Sequence, residues 1–176
     1  MLSALVMTVI GPDRTGLVDS IAGCVADHGG NWLESRMCRL GGQFAGLVQL
    51  KIEASQTDQL VEAISALATG ELQITIHGDS AIDTPVPGIL SVVDLVGQDR
   101  PGLLHEITAV FAKHGLNVEE LSTELTDAPQ GGGTLFKATV TVLIPESVGL
   151  QVIGDDLERL ANDLMVDIAV LPTTAG

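Results

Sequence analysis

The chain has 176 residues, 45% of them hydrophobic, which suits one medium domain or two small ones with a core each. Eight Lys and Arg against 23 Asp and Glu give a formal net charge of -15, a surface that repels phosphate and argues against direct nucleic-acid binding. Stacking on single strands has little to draw on either, since Trp32, Phe44, Phe111 and Phe136 are the whole aromatic set.

The apolar run Ala4 to Ile10 has no Lys or Arg before it and is ended early by Gly11-Pro12. It predicts a strand over Leu5 to Ile10, and neither an export signal nor a membrane span. Leu17, Ile21 and Val25 follow at four-residue spacing, one apolar stripe of a helix that Gly29 is placed to stop. Cys24 and Cys38 belong to no Cys-x-x-Cys pattern and read as reduced, buried core residues of a cytoplasmic protein. A second strand opens at Asn31, and a third, Phe44 to Ile52, puts Val48, Leu50 and Ile52 on one face. Thr57 is placed to cap a helix carrying Leu60, Val61, Ile64 and Leu67, with Gly70 as its stop and Leu72 to Ile76 as a closing strand.

The pattern then starts again. Gly11-Pro12-Asp13-Arg14-Thr15-Gly16-Leu17 lies on Gly97-Gln98-Asp99-Arg100-Pro101-Gly102-Leu103 at an offset of 86, after a strand predicted over Leu90 to Val96. At that offset Ile21 meets Ile107, Val25 meets Phe111, His28-Gly29 meets His114-Gly115, Asn31 meets Asn117 and Glu34 meets Glu120. The third strands align at an offset of 92, so the second copy carries an insertion around Asp127 to Gly133, a surface loop with Pro129 and three glycines. Phe136, Ala138, Val140, Val142 and Ile144 share a face of the strand that follows. Ser147 is placed to open a helix with Val152, Ile153, Leu157, Leu160 and Leu164, weakened by Gly149 and Gly154, and Val166 to Leu171 closes the copy.

Two βαββαβ units follow, residues 1–80 and 89–176, joined by a linker at 81–88 that contains Pro85 and Pro87. The expected class is α+β: two ferredoxin-like units, each an antiparallel sheet with its helices on one face.

A strand, Gly-x-Asp-Arg-x-Gly-Leu, a helix and His-Gly-x-Asn opening the next strand resemble the ACT-domain family in both copies. The tandem with no further domain is similar to the stand-alone double-ACT proteins of the glycine cleavage system transcriptional repressor family. The resemblance implies a ligand where the turn after the first strand meets the start of the second strand of a neighbouring unit. Carried over residue by residue, that indicates Asp13, Arg14, Gly16 and Asn31 in copy one, and Asp99, Arg100, Gly102 and Asn117 in copy two. An amino-acid zwitterion suits such a set: helix N-terminal amides attract a carboxylate, Asp pairs with an ammonium, and Asn donates and accepts. The competing readings are structural. Asp13 and Asp99 also suit turns and caps, Asn31 and Asn117 their own loops, and Arg14 and Arg100 surface carboxylates. His28 and His114 fit helix ends, and His105-Glu106 a solvated face.

No Gly-x-Ser-x-Gly turn, paired Cys and His, Walker loop or dinucleotide fingerprint occurs, so neither an enzyme nor a cofactor or metal site is expected. The resemblance implies a regulator that binds a small amino acid, glycine or serine, and signals to a protein partner such as a transcription regulator. A homo-oligomer is expected from the mean hydropathy of +0.38. The alternative is a ligand-free module that acts by assembly alone.

Overall fold

The computed structural model describes residues 1–78, 87–129 and 132–172. The chain divides into two compact units, Met1–Thr84 and Pro85–Gly176. Of the expected linker at 81–88, residues 81–86 lie outside the described residues, as do 130–131 of the expected loop.

The first unit runs β1 (Leu2–Pro12), α1 (Leu17–Asp27), β2 (Asn31–Leu40), β3 (Gln43–Glu53), α2 (Thr57–Leu67) and β4 (Gln73–Gly78). Its sheet has the order β2-β3-β1-β4 with every neighbouring pair antiparallel. Period-two alternation puts Leu5, Met7 and Val9 of β1 on the same face as Val48, Leu50 and Ile52 of β3. Against that face lie Leu17, Ile21 and Val25 of α1 and Leu60 and Ile64 of α2, closing one core. Trp32 is partly buried against it.

The second unit repeats the plan as β5 (Gly88–Gln98), α3 (Leu103–Lys113), β6 (Asn117–Asp127), β7 (Thr134–Pro145), α4 (Leu150–Leu164) and β8 (Asp167–Pro172), with sheet order β6-β7-β5-β8. The predicted stripes Leu103, Ile107, Phe111 and Ala138, Val140, Val142, Ile144 are buried together with Val93, Leu95, Ile153 and Leu157. Both units carry a bulge at the same place, Leu33 between Trp32 and Glu34 and Glu119 between Val118 and Glu120. The α+β class and the βαββαβ order are as read from the residues.

Four local expectations are corrected. Thr57 is the first residue of α2 rather than its cap, because a 3-10 turn over Ala54–Gln56 leads into the helix. Its hydroxyl oxygen is buried with no hydrogen-bond partner among the described residues. Ser147 lies before the cap position of α4, which Gly149 occupies. Val152 is 55% exposed, off the stripe that Ile153 and Leu157 bury. Cys38 is exposed, since it alternates with Met37, which packs against the core, and so lies on the outer face of β2, while Cys24 is half-buried.

The first glycine of each repeat is a packing residue. A Cβ on Gly11 would lie 2.9 Å from the Leu72 Cα, and one on Gly97 would lie 2.2 Å from Val166 Cγ1. The close approach comes from the segment entering the last strand of each unit, which leaves no room for a side chain.

Gly154, expected to weaken α4, sits inside a helix of 15 residues. A Cβ there would meet nothing within 4 Å. Gly154→Ala is therefore expected to stabilise the second unit by about 0.5–1 kcal/mol through helix propensity and a less free unfolded chain. Urea denaturation checks this, and a loss of stability would contradict it.

Candidate functional site

The turns between β1 and α1 and between β5 and α3 are built alike. The Asp13 amide donates to the Gly42 carbonyl at 3.0 Å and the Asp99 amide to the Thr134 carbonyl at 3.0 Å, which ties each turn to the neighbouring hairpin. Gly16 (φ 83°) and Gly102 (φ 88°) then enter the helix in the left-handed region. That backbone conformation requires glycine, whereas a Cβ on Gly16 would meet nothing within 4 Å. No side chain caps either helix, so Asp13 and Asp99 do not act as caps.

The side chains differ between the copies. Arg39, near the end of β2, pairs with Asp13 at 2.8 Å. Arg14 is exposed and has no ion-pair partner among the described residues. It lines an open pocket of about 150 Å³ with Pro12, Thr69, Glu71 and Leu72. In copy two Arg100 is held by Glu106 of α3 in a two-pronged pair: Nη1 donates to Oε1 at 2.9 Å and Nη2 to Oε2 at 2.7 Å. These hydrogen bonds hold the Glu106 carboxyl below its ordinary range and push the Arg100 guanidinium up. Glu106 is thus a turn-bracing residue rather than part of a solvated face.

Asn31 and Asn117 lie at the far end of their sheets from these turns. Asn31 is level with Ala4 through Lys51, whereas Pro12 is level with Leu40 through Gln43. At ~3.3 Å per residue the separation is roughly 25–30 Å, so neither unit by itself brings its Asn to its own turn. Asn31 is exposed, and the Asn117 amide donates to Glu119. The sequence reading missed Arg39, Glu71 and the bracing role of Glu106. Arg39 and Glu106 each had a signal in the repeat, since Arg39 stands where copy two has Leu125 and Glu106 where copy one has Ser20.

A second polar cluster joins α3 to α4. Asp156 accepts from Lys113, from His114 Nε2 at 2.9 Å and from Arg159 at 3.0 Å, with its own side chain 14% exposed. The Lys113 hydrogen bond, followed by that of His114, holds its carboxyl at about 2. His28, the counterpart in copy one, instead donates from Nδ1 to the Cys24 carbonyl at 2.8 Å. Burial and the neighbouring Asp27 push the Cys24 thiol up. Because Asp156 is depressed in the folded state, its contribution is complete above its ordinary value of 3.8 and is lost as pH falls through about 2. Asp156→Asn is expected to lower the urea midpoint at pH 7, and the gap to the wild type should close as pH approaches 2. A gap independent of pH would contradict the tie.

Among the described residues no three His, Cys, Asp or Glu side chains gather in a metal-holding group, and no helix is long and apolar enough to cross a membrane.

Comparison with known proteins identifies the family of the fold. Models of the ACT domain match residues 3–79 and residues 91–162. The glycine cleavage system transcriptional repressors of Escherichia coli K12 and Shigella flexneri are each 27% identical over 164 residues, which covers 91% of this chain and 85% of theirs. A crystal structure of an unknown protein from Galdieria sulphuraria is 30% identical with a TM-score of 0.89, covering 99% of this chain and 100% of that one. The chain belongs to the ACT-domain family and carries two ACT domains in tandem.

Proposed function

We propose that this ACT-domain regulatory protein binds a small amino acid, glycine or serine, and passes its occupancy to a protein partner such as a transcription regulator, without catalysing a reaction. The observation that carries the reading is the pocket beside the β1–α1 turn, lined by an arginine that has no ion-pair partner among the described residues. A guanidinium recognises a carboxylate in two-pronged fashion, and the adjacent helix N-terminus favours the same charge. The curated relatives are named as repressors, which favours regulation over catalysis. The acidic surface suits a protein partner better than DNA. The remaining positions of the proposed site, Asp13, Gly16 and Asn31 with Asp99, Arg100, Gly102 and Asn117, belong to the two strand-to-helix turns and to the starts of β2 and β6.

The proposal extends to the organisation of the chain as ACT domains at 1–80 and 89–176 with a linker at 81–88, to a cytoplasmic location, and to a homo-oligomer. Edge strand β6 exposes Leu121 and Leu125, and β2 exposes Leu33 and Leu40, the kind of edge that pairs with another chain. Those edges also favour the second reading, assembly without a ligand.

Calorimetric titration with glycine, serine and the other common amino acids separates the two. At a hundred times its dissociation constant a bound ligand should stabilise the native state by about 2.7 kcal/mol and raise the melting midpoint accordingly. A chain indifferent to every amino acid, yet oligomeric by light scattering, would favour assembly alone. Turnover of any substrate by the isolated chain would overturn the non-enzymatic reading.

A further inference from the structure

We infer that ligand capture is confined to the first unit, through Arg14 and Glu71, and that Glu106 closes the corresponding position of the second unit. The inference rests on the amino-acid-binding reading above and narrows it to one of the two copies.

The two turns carry the same Asp-Arg pair but present opposite charges. In the first, Arg39 neutralises Asp13 and leaves Arg14 as the open cation. In the second, Glu106 neutralises Arg100, and the exposed Asp99 has no ion-pair partner among the described residues. Two differences between the repeats produce this reversal. Ser20, whose hydroxyl bonds back to the Gly16 carbonyl at 2.8 Å, stands at the position of Glu106. Arg39 lies opposite Phe44, where the second unit has Leu125 opposite Phe136.

The pocket adds the complementary group. Glu71 lines it together with Arg14, and among the described residues neither carboxylate nor guanidinium has an ion-pair partner. One cation and one anion bordering a volume of about 150 Å³ match the two ends of an α-amino acid. Pro12 and Leu72 supply apolar wall, and the Thr69 hydroxyl is a further polar group. The residue that enters β8 directly before Val166, as Glu71 enters β4 directly before Leu72, is Met165, which is 90% exposed and offers no charge.

The exchange of partners favours the first unit. A ligand carboxylate reaching Arg14 replaces only water, whereas one reaching Arg100 must displace Glu106 and so trades one two-pronged carboxylate pair for another. The first exchange gains a charge-assisted pair, and the second gains almost nothing.

The test is calorimetry on the full chain with glycine, serine and the other common amino acids, alongside melting midpoints without ligand. One binding site per chain is expected. Ser20→Glu, which supplies Arg14 with the brace that Arg100 has, should weaken binding about ten- to a hundredfold with little change in the unliganded midpoint. Arg14→Ala, at an exposed position, should weaken it by a similar factor and decides the matter if Ser20→Glu does not fold. Two sites per chain, or binding by both variants at the wild-type affinity, would overturn the confinement to the first unit and leave the amino-acid reading standing. A wild-type chain that binds no amino acid would remove that reading and this inference with it.

Discussion

Replacing Phe111 with alanine is expected to cost the second unit about 3–5 kcal/mol. Among the described residues Phe111 is the largest fully buried side chain, 1% exposed, on the inner stripe of α3 with Ile107 and in one core with Val140 and Val142 of β7. Truncation removes its transfer free energy and leaves a cavity that the surrounding branched side chains fill only in part. A small domain is stable by only ~5–15 kcal/mol, so the variant should unfold at a much lower urea concentration. Far-UV circular dichroism across a urea series reads the loss. A cost below about 1 kcal/mol would mean that the core repacks around the gap, contrary to the close packing described for it.

Gly97→Ala is expected to cost about 1–3 kcal/mol, although alanine suits an extended strand better than glycine does. The new Cβ would lie 2.2 Å from Val166 Cγ1 and 2.9 Å from its Cβ. Much of the conflict is therefore with a side chain, and Val166→Ala should relieve part of it, so that the double variant is more stable than the sum of the single losses predicts. The matching change in the first unit behaves differently. A Cβ on Gly11 would lie 2.9 Å from the Leu72 Cα and 3.2 Å from the Glu71 carbonyl oxygen, so backbone itself is in the way. Leu72→Ala should rescue Gly11→Ala less well than Val166→Ala rescues Gly97→Ala. Equal rescue at the two sites would contradict this account.

The strands and helix stripes were legible because burial on one face imposes a period, and Val48, Leu50 and Ile52 or Ile107 and Phe111 can serve no other face. Features that depend on what lies beside an element were not legible in the same way. Cys38 sits within a strand but on the face that no helix covers, and Thr57 follows a 3-10 turn that moves the cap one residue earlier. Site geometry followed the same division. The left-handed glycine at each turn follows from the motif, whereas the pairing of Asp13 with Arg39 joins residues 26 apart across β3, through a hairpin that brings the end of β2 level with the end of β1. The fate of Arg14 and Arg100 lay in the comparison of the copies, at Ser20 against Glu106, and outside the motif that the copies share.

Trp32 has a spectroscopic consequence. It is the single tryptophan of a chain without tyrosine, and it packs against the core of the first unit beside the β2 bulge. The tryptophan fluorescence of the protein therefore arises in that unit alone, while both units contribute to circular dichroism. Phe111→Ala acts in the second core and is read by circular dichroism. A substitution in the first core should move both signals, so that the fluorophore reports on the first unit without an added label.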